Sequence, residues 1–98
     1  MKKVLIQDIL YFFSENNATF LLTKESRQFL IHKSLEKIEG EIDCKQFFRI
    51  NRKYIVNKDF IDSVKNTSRI ELSMMNFESD FYEVSKSKSK LFVEWYKT

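Results

Sequence analysis

Positively charged side chains are grouped in two short windows that could hold an anion. Four cations and no acid occur from Arg49 to Lys58, the first cationic window. Three cations and no acid occur from Lys86 to Lys90, the second cationic window. The other ten Lys and Arg residues face all 14 acids, so the rest of the chain has a net charge of −4 although the whole chain carries +3. Such concentration of one charge sign is typical of an anion-binding surface.

The first cationic window interrupts a strand-like segment, FRINRKYIVN (48–57). Strand alternation places Phe48 and Ile50 on one face. A strand continued without a break would bury Arg52 on that same face, and burying an unpaired guanidinium is prohibitively costly. We therefore expect the strand to break at residues 51–53 and to form a protruding loop.

This loop combines two side chains that suit the reading of base edges. Arg52 can bind O6 and N7 of guanine, and Asn51 can bind N6 and N7 of adenine. The sequence therefore favours nucleic-acid binding, and the alternative is a solvated loop on which cations happen to cluster. On the first interpretation, phosphate contacts are expected from Arg49, Lys53, Lys86 and Lys88.

The second cationic window, within SKSKSK (85–90), permits two geometries. On a strand, Lys86, Lys88 and Lys90 share one face, whereas on a helix Lys88 points away from the other two. Apolar pairs at i, i+4 within residues 91–96 favour a C-terminal helix.

A helix start at this point would provide a phosphate seat. With Ser85 as N-cap, backbone N–H groups near Ser85, Ser87 and Lys88 would face outward beside the Lys86 ammonium. The alternative is an ordinary helix cap with solvated lysines.

Other chemistry finds little support in the sequence. His32 and Cys44 are the only residues of their types, and no His, Cys and Asp residues occur with metal-ligand spacing. Gly40 is the only glycine, which excludes a glycine-rich phosphate loop. We expect no enzyme activity, no cofactor and no metal. A lone cysteine, with no signal peptide and no membrane-length apolar run, suits the cytoplasm.

The pattern of the whole chain predicts one mainly β domain, residues 1–98, with two short helices. Leu35, Ile38 and Ile42 form a helical stripe after the N-cap Ser34, which predicts a helix at Ser34–Ile42. Short antiparallel strands are predicted at Lys3–Ile6, Asp8–Phe13, Ala18–Thr23, Gln28–His32, Phe47–Ile50, Tyr54–Asn57, Ile61–Lys65, Arg69–Met74 and Phe81–Val84.

Three stretches of the chain resemble the LytTR-type DNA-binding domain of LytR/AlgR-like bacterial response regulators. Asp8–Phe12 looks like an early D-I-x-Y-aromatic segment, residues 48–57 like the F-x-R-h-H-R-S-Y-x-V-N signature, and Val84–Lys86 like a late V-S-R/K element. The chain departs at Asn51 and Lys53, where the family usually has His and Ser, and at Ser87, where a basic residue is common.

This resemblance implies antiparallel sheets of about 7–10 short strands whose loops enter successive major grooves of bent duplex DNA. Carried onto this chain, three segments would contact DNA. Their residues are Asn16, Asn17 and Thr19 in the first, Asn51, Arg52 and Lys53 in the second, and Lys86 and Ser87 in the third. An upstream receiver domain, transcription regulation in a two-component system and a homodimer on repeated half-sites are also implied. The chain is then either an excised output domain or a stand-alone form, and Met1 before a strand-like run favours the excised domain.

Two rival functions follow from the residues. A protein-interaction module would use an exposed strand edge, with its cations serving solubility or acidic partners. Single-stranded RNA binding on the sheet would need an RNP motif, which the sequence lacks.

Overall fold

The chain folds into two antiparallel sheets and two helices in a computed structural model that describes residues 4–98. The strands are β1 (Ile9–Glu15), β2 (Ala18–Thr23), β3 (Gln28–Ile31), β4 (Phe47–Arg49), β5 (Tyr54–Asn57), β6 (Ile61–Asn66), β7 (Ile70–Met74) and β8 (Phe77–Glu83). The helices are α1 (Leu35–Glu41) and α2 (Ser89–Lys97), and short 3-10 turns occupy Ile6–Asp8, Lys58–Phe60 and Lys86–Lys88. The predicted mainly β fold, with one mid-chain and one C-terminal helix, is confirmed.

The first sheet has the strand order β3-β2-β1-β5-β4, and the second has the order β6-β7-β8. All pairings are antiparallel, and most join strands that are neighbours in sequence. The exception is the pairing of β1 with β5, which brings the first cationic window beside the start of the chain.

Strand β1 is buried on both faces because α1 covers one face and the second sheet covers the other, and a bulge near Leu10 interrupts its alternation. Its register with β2 shifts between Ile9 and Tyr11, which turns the side chains on either side of the bulge. Ile9 and Phe12 pack with α1, whereas Leu10, Tyr11 and Phe13 face the second sheet. The apolar run predicted as a strand at Asp8–Phe13 therefore packs into two cores.

The larger core lies between the two sheets. Leu72 and Met74 of β7 meet Val56 of β5, and Phe92 of α2 closes the same cluster. These four side chains are at most 1% exposed. Burial at this level holds the sheets together mainly through the hydrophobic effect.

Asparagine makes two of the tight turns in this glycine-poor chain. Asn16 and Asn17 join β1 to β2 with φ angles of 51° and 62°. Asn76 has a φ angle of 72° and joins β7 to β8. Asparagine tolerates this left-handed region better than other non-glycine residues. The tight turn at Asn76 lets β8 begin at Phe77, four residues earlier than the predicted strand at Phe81–Val84.

The two helices begin differently. The predicted N-cap of α1 is confirmed, since Ser34 Oγ accepts a hydrogen bond from the Lys37 amide at 3.1 Å. The predicted cap of α2 is wrong: Ser85 precedes the 3-10 turn, its side chain makes no capping bond, and the α2 N-cap is Lys88. The extra 3-10 turn displaces the helix start because the Lys88 amide bonds the Ser85 carbonyl at 2.9 Å.

The predicted strand at Lys3–Ile6 is not present among its described residues, and Lys3 itself lies outside them. Ile6 begins a 3-10 turn, closed by a hydrogen bond of 2.9 Å from the Asp8 amide to the Leu5 carbonyl. Val4 packs against the core on the α1 side of the first sheet. This residue is therefore apolar because of core packing and not because of strand pairing.

A pair of buried tyrosines joins the two sheets. The Tyr11 and Tyr82 hydroxyls share a hydrogen bond of 3.2 Å. Burial, and then the bond to Tyr82, raises the pKa of Tyr11 well above its usual value of 10. Burial also raises the pKa of Tyr82.

The tyrosine pair predicts a loss of stability at alkaline pH. Because both folded-state pKa values exceed the unfolded value of about 10, the pair's contribution is complete below that pH and is lost above it. The free energy of unfolding should fall more steeply above pH 10 in wild type than in Tyr11→Phe/Tyr82→Phe, as measured by urea denaturation. Tyr96→Phe, at a 39% exposed position, should keep the wild-type slope, and equal slopes in all three proteins would contradict this assignment.

Candidate nucleic-acid interface

Several connections lie at one end of the molecule because of the strand directions. They are the β1–β2 turn at residues 16–17, the β3–α1 connection at 32–34, the β4–β5 loop at 50–53, the β6–β7 turn at 67–69 and the β8–α2 connection at 84–88. We call this the loop end. The β2–β3 and β7–β8 turns lie at the opposite end, where Asn76 Nδ2 donates to the Lys24 carbonyl at 2.8 Å.

The two cationic windows meet at the loop end. The Ser85 amide donates to the Ile50 carbonyl at 2.8 Å. Lys88 Nζ donates to the Arg49 carbonyl at 3.2 Å. These contacts cross the boundary between β4 and the segment that leads into α2, so both windows can face one ligand.

The Asn51 side chain holds the β4–β5 loop in shape. Its Oδ1 accepts hydrogen bonds from the Lys53 amide at 2.7 Å and from the Tyr54 amide at 2.9 Å. Its Nδ2 donates to the Glu83 carbonyl at 2.7 Å. The amide oxygen that would accept from adenine N6 is thus already used twice, and the contact of Asn51 with a base stays a prediction.

Arg49 also serves the shape of the loop. Its guanidinium donates to the Asn51 carbonyl at 3.2 Å and to the Arg52 carbonyl at 3.1 Å. A third contact, with Glu39 Oε1 at 3.2 Å, pairs its charge. The side chain is only 19% exposed. The phosphate contact predicted for Arg49 is untested, and this geometry supports a structural role.

Arg52 and Lys53 project from the loop and are exposed. Lys53 Nζ lies 3.8 Å from Glu15 Oε1 and 5.7 Å from the centre of the Tyr54 ring. Behind the loop, the Tyr54 ring packs edge-on against Tyr82 with ring centres 4.9 Å apart. The loop that carries the two cations therefore packs on aromatic rings from both sheets.

The predicted first contact segment borders the same surface. Asn16 and Asn17 are exposed in the β1–β2 turn, whereas Thr19 is 8% exposed between neighbouring strands. Asn17, Thr19 and Arg52 line one groove of about 690 Å³. Its other wall is the β3–α1 connection, which includes His32.

The predicted third contact segment has a mixed arrangement. Lys86 and Ser87 are exposed, whereas Lys88 is half-buried by its bond to Arg49. The predicted phosphate seat is wrong for two of its amides, which donate hydrogen bonds within the protein. Ser85 N–H donates to Ile50, and Lys88 N–H donates to Ser85, because the 3-10 turn uses them internally.

Lys58 does not join the other cations of the first cationic window. Its Nζ donates to the Trp95 carbonyl at 2.7 Å and lies 4.6 Å from the centre of the Trp95 ring. Lys58 thus stabilises the C-terminal end of α2, as expected for a cation near the last carbonyls of a helix.

Arg69, which was not among the predicted site residues, lies beside Lys86 at the loop end. The two line one cleft of about 260 Å³ with Ser68 and Glu83. Its position follows from the β6–β7 pairing, and no local charge cluster in the sequence marks it.

Residues 4–98 contain no group of three or more His, Cys, Asp or Glu residues that could hold a metal ion. Within the same range, no helix has the length and apolar character needed to cross a membrane.

Comparison with known families identifies the family of the chain. Residues 1–97 match the family described as LytTr DNA-binding domain. The chain belongs to the LytTR family. A search of curated proteins gave no match.

A solved structure has the same fold. The LytTr DNA-binding domain of a putative methyl-accepting/DNA response regulator from Bacillus cereus superposes with a TM-score of 0.82 at 24% sequence identity. The match covers 94% of this chain and 84% of that chain. At this identity the likeness is evidence for the fold.

The three hydrogen bonds of Asn51 predict a local stability effect. Asn51→Ala removes them and leaves two backbone amides and one carbonyl without these partners, so it should lower the free energy of unfolding by about 1–3 kcal/mol. Urea denaturation measures this change, and hydrogen exchange at the Lys53 and Tyr54 amides should accelerate. Asn66→Ala, at an exposed position at the end of β6, is the matched control. Unchanged exchange in Asn51→Ala would show that the loop does not depend on this side chain.

Proposed function

We propose that this LytTR domain binds double-stranded DNA through its loop end and acts as the output domain of a transcription regulator. Membership in the LytTr DNA-binding family supports the ligand class. The main supporting observation is the direct contact between the two cationic windows, through the Ser85–Ile50 and Lys88–Arg49 hydrogen bonds. A duplex can therefore meet cations of both windows at once.

Phosphate contacts position such a protein, whereas base contacts select the sequence. Lys53 and Lys86, exposed at the edges of the loop end, are assigned to phosphates. Arg52 projects from the rigid β4–β5 loop and is assigned to a guanine edge in the major groove. Asn51 and Arg49 hold this loop in position, and the second Nδ2–H of Asn51 stays available to donate to a base.

The turn at Asn16 and Asn17 and the segment at Lys86 and Ser87 flank the central loop. We infer that the three segments enter successive grooves of one duplex. Their placement at the same end of the molecule, beside the central loop, supports contact with more than one groove.

The regulatory context is part of the same proposal. This domain would act with a receiver domain elsewhere in a longer chain. Receiver phosphorylation would favour a homodimer on repeated half-sites, and the second half-site contact would gain from a high effective concentration. The site of action would be the bacterial cytoplasm, where the chromosome lies.

A protein-interaction module is the second candidate. Edge strand β3 carries Leu30, whose side chain is 55% exposed. An extended partner could pair with this edge. Such binding would not require Arg52 or Lys86, so substitutions of these residues separate the two functions.

Phosphate binding predicts a strong dependence on salt. If about four to six phosphates are neutralised, log K should fall against log salt concentration with a slope near −4 to −5. Fluorescence anisotropy with labelled duplex DNA between 50 and 300 mM salt measures the slope. A flat response would exclude this mode of binding.

Arg52 and Lys86 should have separate effects. Arg52→Ala should reduce discrimination between a selected site and a random duplex by roughly 1–3 kcal/mol, because it removes a base contact. Lys86→Ala should weaken both duplexes about equally, because phosphates carry no sequence information. The selected site would come from random duplex DNA enriched on the wild-type protein, and dissociation constants give both effects.

Matched controls exist at the opposite end of the molecule. Arg27 and Lys45 are exposed there, near the β2–β3 turn and the start of β4. Arg27→Ala and Lys45→Ala should leave both affinities close to wild type. Equal losses in all four variants would indicate a general charge effect and would contradict the assignment of the loop end.

A further inference from the structure

Arg69 is a cation at the loop end whose charge is paired within the protein. Its Nη1 donates to both carboxylate oxygens of Glu83, at 3.1 and 3.0 Å. Both side chains are exposed, at 70% for Arg69 and 47% for Glu83. A water-exposed pair of this kind exchanges readily with other partners, because its net interaction in water is weak.

Arg69 and Arg49 differ in the hydrogen bonds that each guanidinium makes besides those to its carboxylate partner. Arg49 donates to two loop carbonyls besides its bond to Glu39, and it is 19% exposed. Among residues 4–98, the hydrogen bonds of the Arg69 guanidinium go only to Glu83. Arg69 could therefore turn to a phosphate without loss of a loop contact.

The backbone fixes Glu83 at the centre of the loop end. Its carbonyl accepts the hydrogen bond from Asn51 at 2.7 Å, so residue 83 adjoins the central loop. Its side chain shares a cleft with Lys86 and Arg69. A negative charge at this point faces the surface on which DNA phosphates would lie.

Sheet stability does not account for a glutamate at this position. Glu83 of β8 lies directly opposite Glu71 of β7 in the ladder. Like charges in such cross-strand positions are unfavourable. The carboxylate at position 83 therefore has its strongest favourable contact with Arg69.

We propose that Glu83 limits the affinity of the domain for all duplex DNA by pairing Arg69 and by repelling phosphates beside Lys86. This inference rests on the proposed function. In wild type, the Glu83 carboxylate competes with a DNA phosphate for the Arg69 guanidinium. Because phosphate contacts carry no sequence information, the effect is the same for selected and random duplexes. The result is weaker attachment to the large excess of non-specific sites on a chromosome.

The test uses Glu83→Gln, which removes the charge and keeps the size of the side chain. One additional phosphate contact steepens the salt dependence by about 0.9 and corresponds to roughly five- to tenfold tighter binding at ~0.1 M salt. We expect this gain in dissociation constants for both random and selected duplexes, measured by fluorescence anisotropy. A thermal unfolding curve close to that of wild type would show that folding is unchanged.

Glu78→Gln is the matched control, because Glu78 is exposed on the same strand at the opposite end. It should leave the dissociation constants at the wild-type value. Arg69→Gln/Glu83→Gln should lose most of the gain seen in Glu83→Gln, because the released guanidinium is absent. An undiminished gain in that double variant would overturn the role of Arg69.

The outcomes separate this inference from the proposed function. Wild-type protein that binds DNA with a steep salt dependence, but no tighter in Glu83→Gln, would overturn the inference alone. An equal gain in Glu78→Gln would overturn it as well, since net charge would then account for the change. Wild-type protein that binds no duplex at 50 mM salt would overturn the proposed function, and the inference with it.

Discussion

The loop end depends on one side chain, Asn51, which satisfies backbone groups of two separate segments. Its oxygen accepts from two amides of its own loop, and its amide group donates to the Glu83 carbonyl. Buried or shielded backbone groups need such partners, and a loop without regular secondary structure must obtain them from side chains. The side-chain amide of Asn51 therefore fixes the shape of the central loop and its distance from β8.

Strand β1 supports this loop and contributes to two cores. Strand alternation places Phe12 on one face and Tyr11 and Phe13 on the other, and the bulge adds Ile9 to the first face and Leu10 to the second. Helix α1 covers one face, and the second sheet covers the other. A rigid sheet covered on both faces can hold exposed cations in fixed positions.

Charge at the loop end is partly paired within the protein. Glutamates lie within salt-bridge distance of Arg49, Lys53 and Arg69. Exposed pairs of this kind add little to stability. On a DNA-binding surface, such pairs are therefore expected to affect DNA affinity and its salt dependence more than folding. The effect differs between Arg49, which also donates to two loop carbonyls, and Arg69, whose guanidinium bonds only Glu83 among residues 4–98.

The sequence alone determined the mainly β class, the helix at α1 with its Ser34 cap, and the break at residues 51–53, because period, capping chemistry and the cost of burying Arg52 are local. The family resemblance also came from local motifs. Tertiary structure decided which cations share a surface: Lys58 lies against α2, whereas Arg69 joins Lys86. It also decided that Asn51 and Arg49 hold the loop and that a 3-10 turn precedes α2. These features depend on strand pairing and on long-range hydrogen bonds, which no short window of residues contains.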